Sequence, residues 1–168
     1  MTLLTRSKLS FEQFLQDYPE GEGRYELVNG ELVEMRATRG HDTVADGLLF
    51  AFNDEIRRDR LNLKVSNKIV IKTMDADGQR LGRIPDVSVI DKDQWDANPS
   101  AYAAFTQAIQ LAVEVVSTNW EDDYEDKLDE YQRLGIQEYW IVDYLTHGSR
   151  LYLGNPNVPT VFIYLWRC

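Results

Sequence analysis

Residues 111–143 read LAVEVVSTNWEDDYEDKLDEYQRLGIQEYWIVD, and the fold turns on them. Leu111–Ser117 is a nearly continuous apolar run, the pattern of a central strand covered on both faces. Glu121–Leu134 carries Tyr124, Leu128, Tyr131 and Leu134 on one helical stripe. Gly135 can take the left-handed conformation that closes a helix. Glu138–Asp143 is a second strand. A helix joining two apolar strands is a crossover, so the strands are expected to run parallel.

Upstream, Leu63–Lys72 alternates Leu63, Val65, Ile69 and Ile71 and reads as one strand. Asp75–Gln79 is a turn, and Arg83–Ile90 is the returning strand, with Pro85 near its start. Residues 41–58 form a helix on which Val44, Leu48, Phe52 and Ile56 recur every four. Arg24–Val28 and Glu31–Met35 flank Asn29-Gly30, a strong short hairpin signal because both turn residues need positive φ. Ser10-Phe11-Glu12-Gln13 is a capping box for a short helix that Pro19 and Gly21 end. Residues 93–108 read as a loop with helical turns. Arg150–Leu153 and Thr160–Trp166 read as a final hairpin. The class is α/β with a mixed α+β sheet. Its core runs helix, strand, strand, strand, helix, strand over about residues 41–143, within one domain spanning residues 1–168.

Composition excludes several function classes. Hydrophobic residues are 43% and charged residues 27%, so the chain is globular rather than disordered. Cys168 is the single cysteine, which excludes an intrachain disulfide scaffold and a multi-cysteine zinc site. No apolar run approaches the roughly 20 residues needed to span a bilayer. The N-terminal stretch MTLLTRSKLSFEQF has no signal-peptide block, so a cytoplasmic location and no membrane partner are expected. The net charge of −10 does not invite nonspecific DNA binding. That charge is uneven: residues 57–83 hold eight bases and three acids, whereas residues 112–143 hold ten acids with only Lys127 and Arg133. The window 57–83 is either a solvated mixed surface or a phosphate-facing flank leading into Asp86.

Three residues carry the chemistry. Glu114 sits inside an apolar strand, where a carboxylate must be paired, hydrogen-bonded or metal-bound, unless the strand lies nearer a wet edge. Asp86 follows Pro85 and either caps local backbone or converges with Glu114 on one hard cation. Lys127 falls on the inward stripe of an acidic helix whose Asp123, Asp126 and Glu130 are expected to point elsewhere. It reaches the acidic pair or a substrate phosphate, or it pairs with Asp123 four residues back, or its stem snorkels. Glu26 in the hairpin and His41 at the helix start are weaker candidates on their own residues.

The segments RYELVNGELVEM, RIPDVSVI, LAVEVVS and KLDEYQRLGIQEYWIVD, in this element order, resemble the PD-(D/E)XK nuclease superfamily. More closely, they resemble a large bacterial family of restriction-endonuclease-like proteins formerly labelled a domain of unknown function. The resemblance runs from residue 10 to about residue 166. It implies a restriction-endonuclease-like fold and a metal-dependent endonuclease hydrolysing phosphodiester bonds, with DNA as substrate. Asp86, Glu114 and the Val115 carbonyl would hold Mg²⁺ or Mn²⁺, helped by Glu26, while Lys127 would position water or steady the phosphate. Where the superfamily has a lysine two residues after the glutamate, this chain has Val116, and Lys127 on the following helix takes that place. His41 matches a position often histidine in the family, and Tyr131, one turn beyond Lys127, is a secondary candidate. Related chains usually continue further at the C-terminus. A homodimer is expected by analogy, since cutting two strands needs two sites. Two rivals stand beside this reading: a noncatalytic interaction module of the same fold, and a phosphodiesterase acting on a small nucleotide.

Overall fold

A computed structural model describes residues 8–21 and 23–166, so Cys168 and the first seven residues lie outside the described part. Two five-stranded mixed sheets form the frame. The first has the order β2-β1-β5-β4-β7: β2 (Glu31–Met35), β1 (Arg24–Val28), β5 (Arg80–Arg83), β4 (Val70–Met74) and β7 (Ala104–Phe105). The second has the order β10-β9-β8-β6-β3: β10 (Thr160–Leu165), β9 (Glu138–Asp143), β8 (Leu111–Val115), β6 (Val87–Asp91) and β3 (Leu63–Ser66).

The expected crossover is present. β8 is the central strand of the second sheet and is buried along its whole length, and it pairs parallel with β9. Between them runs a π-helical turn (Asp122–Asp126) and then α4 (Lys127–Leu134), ended by Gly135 at φ 88°. The two-residue period of β8 sorts its side chains. Leu111, Val113 and Val115 pack with Val87, Val89 and Val142 under α2 (Arg39–Asp59), through Ala45, Leu48, Phe52 and Ile56. Ala112 faces the other way, into a core of Ile69, Ile71, Ile90, Tyr124, Tyr131, Tyr139 and Ile141. Glu114 shares the parity of Ala112, so its carboxylate is directed toward α4.

The N-terminal expectations hold. Ser10 Oγ accepts from Gln13 N at 3.1 Å, and Gln13 Oε1 accepts from Ser10 N at 2.8 Å, which caps α1 (Phe11–Gln16). Asn29 and Gly30 turn the β1–β2 hairpin at φ 54° and 78°.

Three expectations need correction. Leu63–Lys72 is not one strand but β3 and β4, in different sheets, and Arg83–Ile90 is likewise divided between β5 and β6. Together they make one long antiparallel hairpin that keeps the same register, Leu63↔Asp91 to Ser66↔Ser88 and then Ile71↔Arg83 to Met74↔Arg80, on either side of a gap where both arms pass from one sheet into the other. The bend falls at Ile84-Pro85-Asp86, where proline has no N–H to give a ladder. Third, Arg150–Leu153 is a helical turn, α5, rather than a strand. β10 instead pairs antiparallel with β9, from Thr160↔Asp143 to Leu165↔Glu138. The Asp143 carboxylate accepts from His147 N at 2.9 Å and Gly148 N at 2.8 Å, tying down the chain just before the expected strand. Residues 93–108, read as a loop with turns, contain α3 (Lys92–Asp96) and the short β7.

Candidate active site

The bend in the long hairpin places Asp86. Its Oδ2 accepts from Val115 N at 2.9 Å, across to the strand that carries Glu114. The same oxygen lies 3.0 Å from His41 Nε2 in the first turn of α2, and Oδ1 lies 3.3 Å from Arg24 Nη1. Two residues of β1 hold the bend itself. Arg24 Nη2 donates to the Ile84 and Pro85 carbonyls at 3.1 and 3.2 Å, and Glu26 Oε1 accepts from Ile84 N at 2.8 Å.

Glu114 is 1% exposed. Its Oε1 accepts from the Tyr131 hydroxyl at 2.7 Å and its Oε2 lies 3.1 Å from Lys127 Nζ. Tyr131 and Lys127 are four apart on α4, so one helical face grips both oxygens of a strand glutamate. Lys127 Nζ also donates to Asp123 Oδ1 at 3.0 Å. Asp123 is expected to point away, yet it is buried beside Tyr124 in the π-helical turn, four residues before Lys127. Glu130 was expected outside too, and it is buried against Arg83, Nη2 to Oε1 at 2.6 Å and Nε to Oε2 at 3.0 Å. Arg83 Nη1 reaches Glu26 Oε2 at 3.2 Å. Glu26 is therefore engaged by Arg83 and by the bend.

Burial alone would raise the Asp86 carboxyl, but the His41 ring and the Arg24 guanidinium outweigh it and hold Asp86 below the usual carboxylate range. Burial pushes Glu114 well up, and Lys127 offsets that only in part against the charges of Asp86, Asp123 and Glu26. Lys127 loses hydration in the same place, yet Asp123 and Glu114 more than compensate and raise it well above an ordinary lysine, so it is an ammonium at neutral pH.

Glu26, His41, Asp86, Asp123 and Lys127 line one cleft of about 670 Å³. Glu114 and Tyr131 lie behind it. Tyr131 carries the only helical stripe position that sequence spacing tied to Lys127 and that bonds Glu114 directly. Arg24 also lines the cleft, although nothing in the pattern of the hairpin strand marked it. The basic window 57–83 is not the cleft wall, and none of its eight bases lines the cleft. Arg57 and Arg58 lie at the far end of α2 from His41, about 25 Å along the axis at helical rise. Arg58 pairs with Glu55 and Asp59, Lys72 with Glu12, and Arg83 is buried. A run of charge along the chain does not make one basic wall, because a helix and a hairpin carry its residues apart.

These features sit in a known family. A model described as "Uma2: Putative restriction endonuclease" matches residues 11–166. The chain belongs to the Uma2 family. The restriction-endonuclease-like resemblance of the segments quoted above is borne out. The same fold occurs in a crystal structure titled as a putative nuclease belonging to DUF820 from Anabaena variabilis. That chain is 19% identical, with 92% of this chain and 78% of that chain covered, at a TM-score of 0.62. No curated protein matches. No helix among the described residues is long and apolar enough to cross a membrane.

In this Uma2-family protein, the side chains available to a metal are Asp86 and Glu114, with Glu26 and Asp123 nearby. All donate oxygen, which suits a hard divalent cation rather than zinc. Arg24, His41, Arg83 and Lys127 face these carboxylates, so it is the all-oxygen donor set that fits a hard cation. As they stand, Asp86 and Glu114 have protein partners on every oxygen. Among the described residues, no three His, Cys, Asp or Glu side chains are gathered closely enough to enclose an ion.

Proposed function

We propose that this protein is a metal-dependent endonuclease that hydrolyses phosphodiester bonds in DNA. One observation carries the reading. Asp86 on the hairpin bend, Glu114 on β8 and Lys127 on α4 meet through the Asp86–Val115 and Glu114–Lys127 contacts at 2.9 and 3.1 Å. Asp86, Glu114 and the Val115 carbonyl would hold Mg²⁺ or Mn²⁺, which when bound supplies an acidified water and neutralises phosphate charge. Lys127, fixed as an ammonium, cannot take a proton; it stabilises charge on the phosphate oxygens or orients the water by donating to it. His41 and Arg24 hold the Asp86 carboxylate, and Arg24 offers the cleft a guanidinium suited to a phosphate. Glu26 fixes the bend that presents Asp86. Two copies acting together would serve the two strands of a duplex, and the site belongs in the cytoplasm with its DNA.

The rival noncatalytic module is favoured by one specific observation, that every oxygen of Asp86 and Glu114 already has a protein partner. Calorimetric titration of Mg²⁺ and Mn²⁺ into the wild type and an Asp86→Asn, Glu114→Gln variant, followed by plasmid nicking, separates the two. Saturable binding and metal-dependent nicking, both lost in the variant, are expected. Absence of metal binding in the wild type would overturn the nuclease reading in favour of the module.

A further inference from the structure

We propose that Asp123 is the positioning residue that keeps Lys127 in the cleft once Glu114 is drawn away from it. This rests on the nuclease reading, in which Glu114 must give an oxygen to a cation. That oxygen is the difficulty. Lys127 Nζ touches two carboxylates, Glu114 Oε2 at 3.1 Å and Asp123 Oδ1 at 3.0 Å. A lysine tethered by Glu114 alone would lose its partner at the moment the site is filled, and a buried, unpaired ammonium would turn outward.

Asp123 is built to be independent of that event. It lies on the same segment as Lys127, so their separation is set by the π-helical turn and not by β8. The turn is pinned from below. The Tyr139 hydroxyl on β9 donates to the Asp123 carbonyl at 2.8 Å, and Lys127 N donates to the Asp122 carbonyl. Asp123 and Lys127 are 5% and 4% exposed, yet both reach the cleft. In this buried setting a charge-assisted contact favours the held lysine over a turned-out one by more than about tenfold.

The test reads Lys127 directly, as its rate of acylation by acetic anhydride at fixed pH in the full chain with and without Mn²⁺, followed by mass spectrometry of the proteolytic peptide that carries Lys127. Wild type is expected to be protected in both conditions. Asp123→Asn is expected to stay protected without Mn²⁺, held by Glu114, and to label more than about tenfold faster with it. Its calorimetric Mn²⁺ binding should persist, weakened far less than in Glu114→Gln, and Asp123→Glu should restore protection. Unchanged labelling of Asp123→Asn in Mn²⁺ would overturn the proposal. Loss of Mn²⁺ binding in that variant would overturn it too, making Asp123 a ligand.

A metal-free arm separates this idea from the nuclease reading. In Glu114→Gln, Lys127 should remain protected through Asp123 alone, and adding Asp123→Asn should expose it. Exposure in Glu114→Gln by itself would sink the proposal whether or not the protein binds Mn²⁺. This arm also decides the matter if Asp123→Asn fails to fold.

Discussion

Replacing Arg83 by methionine tests the electrostatic frame that carries the site. Arg83 is 2% exposed and makes three charge-assisted contacts, two to Glu130 and one to Glu26. Burial would push its guanidinium down, but Glu130 and Glu26 raise it further, so it stays charged at any accessible pH. Methionine keeps most of the stem volume, so the loss is electrostatic rather than a cavity. Glu130, 4% exposed, would keep only the Thr73 hydroxyl at 2.7 Å, and Glu26, 3% exposed, only Ile84 N. Removing one partner of a buried pair costs about 3–5 kcal/mol, against a total domain stability of about 5–15 kcal/mol. At about 2–4 °C per kcal/mol for a domain of this size, Tm should fall by about 6–20 °C. Urea unfolding at neutral pH should show the midpoint falling with its slope unchanged. Adding Glu130→Leu should recover part of the loss, because it removes one of the two stranded carboxylates and leaves only Glu26 without its cation. A cost below about 1 kcal/mol for Arg83→Met, the worth of a surface pair, would refute the reasoning.

Further outcomes follow from named contacts. Burial lowers the His41 ring and Asp86 raises it by more, leaving it above its ordinary value. Such a raised base stabilises the fold at pH below its unfolded value of about 6.5 and loses that contribution as pH rises through the folded value. His41→Gln should therefore cost more at roughly pH 5.5 than at pH 9 in urea unfolding, and equal costs would count against the His41–Asp86 pair. Ser10→Ala removes the side-chain half of the α1 cap and should cost about 0.5–2 kcal/mol by the same assay. A methyl group at Gly82 would meet the Phe14 ring at 2.9 Å and Leu27 Cβ at 3.3 Å, so Gly82→Ala should destabilise by about 1–3 kcal/mol. Tyr131→Phe strips one donor from buried Glu114 and should lower stability by about 1–3 kcal/mol in thermal melts, where no change would mean that a water takes its place.

The parts legible in the sequence were those set by neighbours along the chain. The strand–helix–strand crossover, the Asn29-Gly30 hairpin, the Ser10 cap and the Gly135 stop each follow from spacing within a few residues, and each is present. An inward Lys127 followed from the stripe it shares with Tyr131, and its pairing with Asp123 was open to the same count of four. Both of its candidate partners turned out to be real, Glu114 and Asp123 together. What spacing could not supply was the division of one alternating hairpin between two sheets. Leu63, Val65, Ile69 and Ile71 keep the same parity on either side of the bend, and only packing against different neighbours tells β3 from β4.

Tertiary structure decided where charge belongs. Arg83 reads as one more base in a positive window, yet it is interior and locked to Glu130, a residue of the helix that sequence placed at the surface. Arg24, two residues from Glu26 on a hairpin, gave no local sign of holding the bend that presents Asp86. The physical reason is one of range. Periodicity and turn chemistry are set by residues a few steps apart, so the chain states them openly. The buried partners of Arg83 lie 47 and 57 positions away, at Glu130 and Glu26, and only the packed molecule brings them together.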